Sequence, residues 1–232
     1  MLKRFGIAVV ALGLAACGAQ PPRPAVPPPH SQAAASLQPL PAAGSYQIDS
    51  SKSELRVLVY RAGPLASLGH NHVMVSRTVS GSVLVAQTLA ASSFSINVPV
   101  MSFIVDDAQS RREEGGDFPG DIPEDAKSGT FRNMQSGLVL NAAQFPVITV
   151  KSLAFTAGRG ALSADLRINV AGHESTVHAP FAVQSDAHHI TAAGSFELKQ
   201  TAIGLTPYSL MLGALQVQDA MLIKFKFVVL IG

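Results

Sequence analysis

The sequence has 232 residues, of which 47% are hydrophobic and 14% charged, with a formal net charge of +2. This length allows a domain with a full hydrophobic core, and this composition excludes a disordered chain or a coiled coil. The positive charge belongs to the first 44 residues, which hold Lys3, Arg4 and Arg23 and no acidic residue; the rest carries 14 basic and 15 acidic residues. A nucleic-acid-binding protein is therefore not expected.

Residues 1–16 form a predicted export signal. Lys3 and Arg4 precede 12 residues of apolar character, a run that is short for a membrane span of about 20 residues and typical of a signal peptide. The run ends in Leu14-Ala15-Ala16-Cys17-Gly18, which resembles a bacterial lipobox. We therefore predict that Cys17, the single cysteine of the sequence, is lipidated and anchors the protein in the bacterial cell envelope, facing the periplasm. Gly18 after the cysteine resembles the pattern of enterobacterial lipoproteins that are sorted to the outer membrane, which is therefore the expected location. An ordinary secretory signal is the alternative.

Residues 17–44 form a predicted tether. Eight of the 15 prolines lie between Gly18 and Gly44, together with Ala, Gln and Ser. Such a composition lacks the apolar periodicity of a folded segment and favours extended polyproline geometry. We expect a spacer between the anchor and the folded domain, and a proline-rich ligand for a partner domain is the alternative.

Residues 45–232 are predicted to form an all-β domain, because apolar and polar residues alternate with the period of a half-buried strand. The alternation recurs in about eight segments, at 55–60, 72–86, 94–101, 147–155, 162–170, 177–183, 190–198 and 221–231. Turn signals separate some of them, at Gly158-Arg159-Gly160, Ala171-Gly172 and Asp186-Ala187. Long alternating strands in a domain of this size predict either a β-sandwich or a closed barrel.

The region 106–141 interrupts the strand pattern. Asp121 and Glu124 have the spacing of a capping box, with Pro123 in the first turn. Helical spacing then continues through three apolar residues, Phe131, Met134 and Leu138. We expect one short helical insertion. Eight of the 15 acidic residues lie between 106 and 125, and a solvated loop is the expected structure there, with a cation site or a partner-binding patch as alternatives.

The apolar positions of the strands predict a barrel with unfilled space. They are mostly Ala, Val, Leu and Ile, and the sequence has no Trp. An eight-stranded barrel lined by small side chains has room for one small ligand, so we predict a lipophilic cavity. Alternation alone does not say which face is the inside; the candidate lining residues are Phe94, Ile96, Val98, Leu162, Leu166, Ile168, Phe225 and Phe227.

The segment His70-Asn71-His72 is the clearest local candidate for a metal-binding site. Residues two apart on a strand point the same way, so two imidazoles could bind a metal. Further ligands would have to come from His173, Glu174, His178, His188 or His189; the alternative is that the two histidines fix a strand end or flank a barrel mouth. No nucleophile elbow, zinc-protease motif or nucleotide-binding loop is present, so no catalytic residue is proposed.

The order of several short motifs resembles the YceI-like family. The matching pieces are Tyr46-Gln47-Ile48-Asp49, Gly69-His70-Asn71-His72 with Ser80-Gly81, Phe145-Pro146 before a strand, Leu166-Arg167-Ile168-Asn169-Val170-Ala171-Gly172, and Ile203-Gly204-Leu205. The resemblance implies an extended antiparallel, lipocalin-like barrel of about eight strands with a helical insertion. It also implies an extracytoplasmic protein that binds a polyisoprenoid, such as a quinone-like lipid. The chain departs from the family pattern at Lys52-Ser53 and at Gln200-Thr201-Ala202.

The sequence therefore predicts a lipid-anchored envelope protein that binds a polyisoprenoid or a similar lipophile non-covalently in a barrel cavity. We expect no enzymatic activity, no metal and no cofactor other than such a lipid. A metal-dependent enzyme using His70 and His72 is one alternative, and a ligand-free interaction module of the envelope is the other. The oligomeric state is left open, with a homodimer among the options.

Overall fold

The computed structural model describes residues 42–158 and 162–231. The predicted signal, Cys17, most of the predicted tether and part of the predicted turn at 158–160 lie outside the described residues. The strands within them are β1 (Gly44–Gln47), β2 (Glu54–Val59), β3 (Arg61–Ala62), β4 (His72–Ser76), β5 (Ser80–Val85), β6 (Ser93–Pro99), β7 (Ile104–Val105), β8 (Val147–Ala157), β9 (Leu162–Val170), β10 (His173–Ser185), β11 (His189–Lys199), β12 (Ser209–Leu210), β13 (Leu215–Val217) and β14 (Ala220–Leu230). The helices are α1 (Ala108–Glu114) and α2 (Glu124–Gln135).

Eleven of these strands form one antiparallel sheet in the order β1-β5-β6-β8-β9-β10-β11-β14-β2-β4-β7. Three pairs are halves of single long strands, because β1 continues into β2, β4 into β5 and β6 into β7 after short interruptions. When the halves are joined, eight strands remain. The last of them, β14, pairs with β11 on one side and with β2 on the other. The sheet therefore curls round to meet itself, which confirms the expected antiparallel, lipocalin-like barrel of about eight strands.

The barrel meets itself where its first strand bends. A short 3-10 turn at 50–52 separates β1 from β2, so the first strand contains extra residues that β14 cannot match. Ile48 bridges to Val229 before the bend. After it, the buried hydroxyl of Ser53 accepts a hydrogen bond from the Val228 amide at 2.9 Å, which satisfies a backbone donor that the bend would leave unpaired. We call this line of contacts between β14 and the β1–β2 strand the seam.

The two ends of the barrel differ in their connections. Successive antiparallel strands place alternate connections at the same end. One end therefore carries the segments 60–71, 106–146 and 200–219, which include both helices and a small ribbon of β3, β13 and β12; we call it the helix-bearing end. The opposite end carries 86–92 and 186–188, and we call it the short-loop end.

The insertion at the helix-bearing end contains two helices where the sequence predicts one. The predicted capping box is wrong, because Pro123 stands at the N-cap of α2 and no side chain caps that helix. The helix also ends before Leu138, which is 74% exposed, whereas Met134 is buried in the core. Among the described residues, no helix combines the length and the apolar character that crossing a membrane requires.

The acidic segment is only partly the solvated loop that its composition predicts. Its later part has exposed acidic residues, at Asp117, Asp121, Glu124 and Asp125. The side chain of Glu114, however, is only 5% exposed and lies between Arg56 of β2, at 3.1 Å, and Lys224 of β14. Asp106 is buried as well. The prediction of a solvated loop is therefore wrong for these two residues, since Glu114 holds α1 against the outer face of the barrel and Asp106 ties the insertion to β4.

Candidate ligand-binding cavity

A cavity of about 750 Å³ occupies the inside of the barrel. This volume lies within the range of about 300–1,000 Å³ that is usual for small-molecule sites. All eight candidate lining residues from the sequence border the cavity, namely Phe94, Ile96, Val98, Leu162, Leu166, Ile168, Phe225 and Phe227. Their contact with a ligand stays a prediction.

Strand alternation explains why these residues face inward. In β9, Leu166 and Ile168 border the cavity, whereas Arg167 between them is exposed on the outside. The neighbouring strand continues the same face, because Ala179 of β10 lies opposite Ala164 and both border the cavity. The strand register therefore places the inward-facing residues of neighbouring strands next to one another.

Six phenylalanine rings supply much of the aromatic surface of the cavity. On one side, the ring of Phe155 lies 5.9 Å from that of Phe94 and 6.2 Å from that of Phe181. On the other side, Phe225 stacks on Phe227 at 5.1 Å and meets the edge of Phe196 at 6.5 Å. These separations are typical of favourable aromatic pairs. A flat or chain-like apolar molecule would therefore meet aromatic faces from two sides.

The sequence missed three of these rings, Phe155, Phe181 and Phe196. An irregularity between Ser152 and Ala154 shifts the alternation of β8. Phe155 therefore faces the cavity, although strict alternation along the strand would place it on the outer face. Phe181 shares its parity with Val177 and Ala179, a signal that was available in the sequence. Phe196 shares its parity with Ile190, Ala192 and Leu198, which also border the cavity, so the sequence carried this signal as well.

The polar groups that border the cavity lie mostly at its helix-bearing end. The larger polar side chains there are Arg61, His70, His72, Thr130, Asn133, Gln200, Tyr208 and Gln216. The short-loop end contributes only hydroxyl groups to the described lining, those of Ser92, Ser93 and Ser185. Between the two ends the wall is apolar. The cavity therefore has a direction, with an apolar body and one polar end.

His72 is held at this polar end by a buried network. Its Nδ1 lies 2.6 Å from Oδ2 of Asp106. The other oxygen of Asp106 accepts hydrogen bonds from the Val73 amide at 3.0 Å and from Nη1 of Arg111 at 2.7 Å. Arg111 also donates to the carbonyl of Asn71 at 2.8 Å. The imidazole is thereby fixed between β4 and the helical insertion.

The carboxyl group of Asp106 stays ionised in this network. Burial by itself raises the pKa of Asp106, because it penalises the charged form. The hydrogen bonds from His72, Val73 and Arg111 favour the carboxylate and outweigh the effect of burial, so the pKa of Asp106 lies below its ordinary value. The carboxylate acts only as an acceptor toward its three partners.

The other histidines do not gather around His70 and His72. His173 lies beside Gly204 at the helix-bearing end. His178 faces outward, where its Nδ1 lies 2.8 Å from Asp165, and both side chains are about half exposed or more. His188 and His189 follow Asp186 in the turn at the opposite end, with backbone hydrogen bonds to it. Within the described residues no group of three metal-ligating side chains is brought together.

Comparisons with known proteins agree with this fold. The model of the YceI-like domain matches residues 46–229. Among solved structures, Burkholderia cenocepacia BcnA is similar at 18% identity, covering 78% of this chain and 98% of its own, with a TM-score of 0.58. A Campylobacter jejuni YceI protein is similar at 9% identity, covering 66% of this chain and 81% of its own, with a TM-score of 0.46. The search of curated proteins finds no match.

Proposed function

Because the chain belongs to the YceI-like family, a family that binds lipids such as polyisoprenoids in a barrel, we propose that it binds a polyisoprenoid or a similar lipophile non-covalently inside its own barrel. The supporting observation is the cavity of about 750 Å³ with an apolar body. That volume corresponds to about 25 water molecules at about 30 Å³ each. Most of those waters would face a wall without hydrogen-bonding partners, so a lipophile is the better occupant.

The energetics favour a long apolar ligand. Each CH₂ group that leaves water for the cavity contributes about 0.8 kcal/mol. An isoprenoid chain offers many such groups, and the phenylalanine rings add flat contact surface. Affinity then depends on the shape and the length of the chain. The ligand-free interaction module, one of the two alternatives, predicts a barrel filled by its own side chains, and the cavity argues against it.

We also propose that the domain works at the bacterial cell envelope. The support is the sequence of residues 1–17, whose apolar run and Cys17 have the arrangement of a lipoprotein signal. Lipid-anchored proteins of the envelope have direct access to membrane isoprenoids. The location and the binding function are independent proposals, since a barrel could bind lipid without being anchored.

Mass spectrometry of lipids extracted from the natively purified protein tests the binding function. We expect an isoprenoid lipid in stoichiometric amount from the wild-type protein. Ala192→Phe places a ring inside the cavity, where Ala192 lies opposite Phe227, and should lower the lipid yield several-fold.

The neighbouring residue supplies the matched control. Ala193 lies opposite Lys226, on the outer face, so Ala193→Phe should retain the wild-type yield. Repeated recovery of lipid-free wild-type protein from an isoprenoid-rich host would overturn the proposal. So would equal lipid yields from the two variants when Ala192→Phe is folded.

A further inference from the structure

The free ring nitrogen of His72 is a candidate contact for a polar group of the ligand. His72 borders the cavity, and its side chain is 14% exposed. Its Nδ1 is engaged by Asp106 at 2.6 Å. No side chain or backbone group of the described chain takes the other ring nitrogen, Nε2. A partly exposed, oriented nitrogen therefore stands at the polar end of an otherwise apolar cavity.

The partners of Asp106 decide which hydrogen-bonding role is left for Nε2. An ionised carboxylate can only accept, so the proton of a neutral His72 must be on Nδ1. Arg111 donates to the same carboxylate at 2.7 Å, which keeps that group an acceptor for the Nδ1 proton. The remaining nitrogen then carries a lone pair, which accepts a hydrogen bond and donates none.

We propose that Nε2 of His72 accepts a hydrogen bond from a terminal hydroxyl group of the ligand, so that the cavity selects an isoprenoid alcohol over the same chain without a donor. The alcohol head lies at the helix-bearing end, and the chain extends along the apolar wall toward the short-loop end. This inference rests on the proposed function and adds the chemistry of the head group and its direction. An ether at the same place would cover this acceptor and leave it unpaired, which costs about tenfold in affinity.

Two matched probes test the selectivity. Binding of geranylgeraniol and of geranylgeranyl methyl ether to the delipidated protein is measured by competition with a fluorescent lipid. The two probes share their chain and differ in the donor. We expect the alcohol to bind the wild-type protein about tenfold more tightly than the ether. If neither probe binds, the proposed function fails; if both bind equally, the function stands and the role of His72 is overturned.

Two variants test whether the preference for the alcohol over the ether depends on Nε2 of His72. His72→Phe should bring the ratio of the two affinities close to one, because it keeps a ring and removes the acceptor. Asp106→Asn should also abolish the ratio, by a different route: its amide can donate to Nδ1, which moves the His72 proton to Nε2 and makes that atom a donor to either probe. The ether should then bind Asp106→Asn more tightly than it binds the wild-type protein.

The outer face offers a control of the same chemistry. His178 and Asp165 form a second histidine–carboxylate pair, at 2.8 Å, outside the barrel. His178→Phe should therefore leave the alcohol-to-ether ratio unchanged. A wild-type ratio that persists in folded His72→Phe, or one that is lost in His178→Phe as well, would overturn the assignment. Because each readout is a ratio within one protein, a general loss of stability does not imitate the expected result.

Discussion

At the scale of single residues, Asp106 meets three structural demands at once. It is fully buried, its φ is 55°, and its carboxylate accepts hydrogen bonds from His72, Val73 and Arg111. Asp and Asn are among the few residues other than Gly that adopt such positive φ angles readily. Asp106→Asn therefore removes the charge and leaves the backbone preference in place, which makes it a clean probe of the carboxylate.

We expect acid to destabilise the wild-type protein more than Asp106→Asn. The folded-state pKa of Asp106 lies below its ordinary value, which the unfolded chain retains at about 3.9. The stability that the carboxylate contributes is thus fully present above that ordinary value and is lost as pH falls through the lower folded-state pKa. Urea unfolding followed by circular dichroism, between about pH 5 and pH 2, measures the difference. Parallel acid dependence of the two proteins would contradict this account.

Side-chain parity predicted which residues of a regular strand share a face, although it did not say which face is the inside of the barrel. Leu162, Leu166 and Ile168 alternate with polar residues, and the structure places them around the cavity. Parity fails where a strand is irregular, as at Phe155, because one extra residue reverses every later side chain. The network of Asp106 was beyond prediction for another reason, since it joins residues of different elements that only the folded chain brings together.

At the scale of elements, α1 is attached mainly through polar contacts. Its sequence has no apolar stripe, and its buried residues are Ser110 and Arg111. Apolar periodicity could not predict such a helix, because that signal is absent. The charges of its last turn are instead matched by the outer face of the sheet, through Glu114 with Arg56 and Lys224. A cluster of acidic residues can thus be mistaken for a solvated loop when it belongs to a helix that packs on the sheet through ion pairs.

Glu114→Gln should lower the free energy of unfolding by about 1–2 kcal/mol at neutral pH. The change leaves two cations beside a neutral amide in a largely buried place. The loss stays below that of a fully buried pair because the Lys224 side chain is 40% exposed, and because Arg56 keeps Glu54 and Glu113. Urea unfolding at low ionic strength gives the value.

An exposed ion pair on α2 provides the comparison for that variant. Glu124 is 85% exposed and lies 2.7 Å from Lys127, and exposed pairs contribute little to stability. Glu124→Gln should therefore change the free energy of unfolding by less than about 0.5 kcal/mol. Equal effects of the two substitutions would mean that Glu114 does not hold α1 in place.

At the scale of the whole molecule, the sequence predicted the class of architecture and left its closure open. Alternation is equally typical of a sandwich and a barrel, so the choice depended on the family resemblance. Closure depends on the pairing of β2 with β14, for example Leu55 with Phe225, which are far apart in the chain and carry no local signal. The cavity was easier to anticipate, because an eight-stranded barrel lined by small apolar residues without Trp has room for a small ligand.

Anchoring is the prediction that concerns the full chain. Cys17→Ser removes the thiol that lipidation requires, so the protein should move from the membrane fraction to the soluble envelope fraction. The expected wild-type mass exceeds that of the processed polypeptide by the attached acyl chains. Cell fractionation with intact-mass spectrometry measures both properties. An unmodified Cys17 in the mature protein would refute the anchor while leaving the barrel's binding function intact.

The seam also determines how the barrel responds to mechanical force. β1 begins at Gly44 and β14 ends at Leu230, both at the short-loop end, and the two strands run antiparallel where Ile48 meets Val229. Tension applied between these two points would load the seam in the unzipping geometry, so that its hydrogen bonds break one after another from that end. Strands pulled from opposite ends would instead share the load across the whole ladder. The barrel is therefore expected to part along the seam at low force.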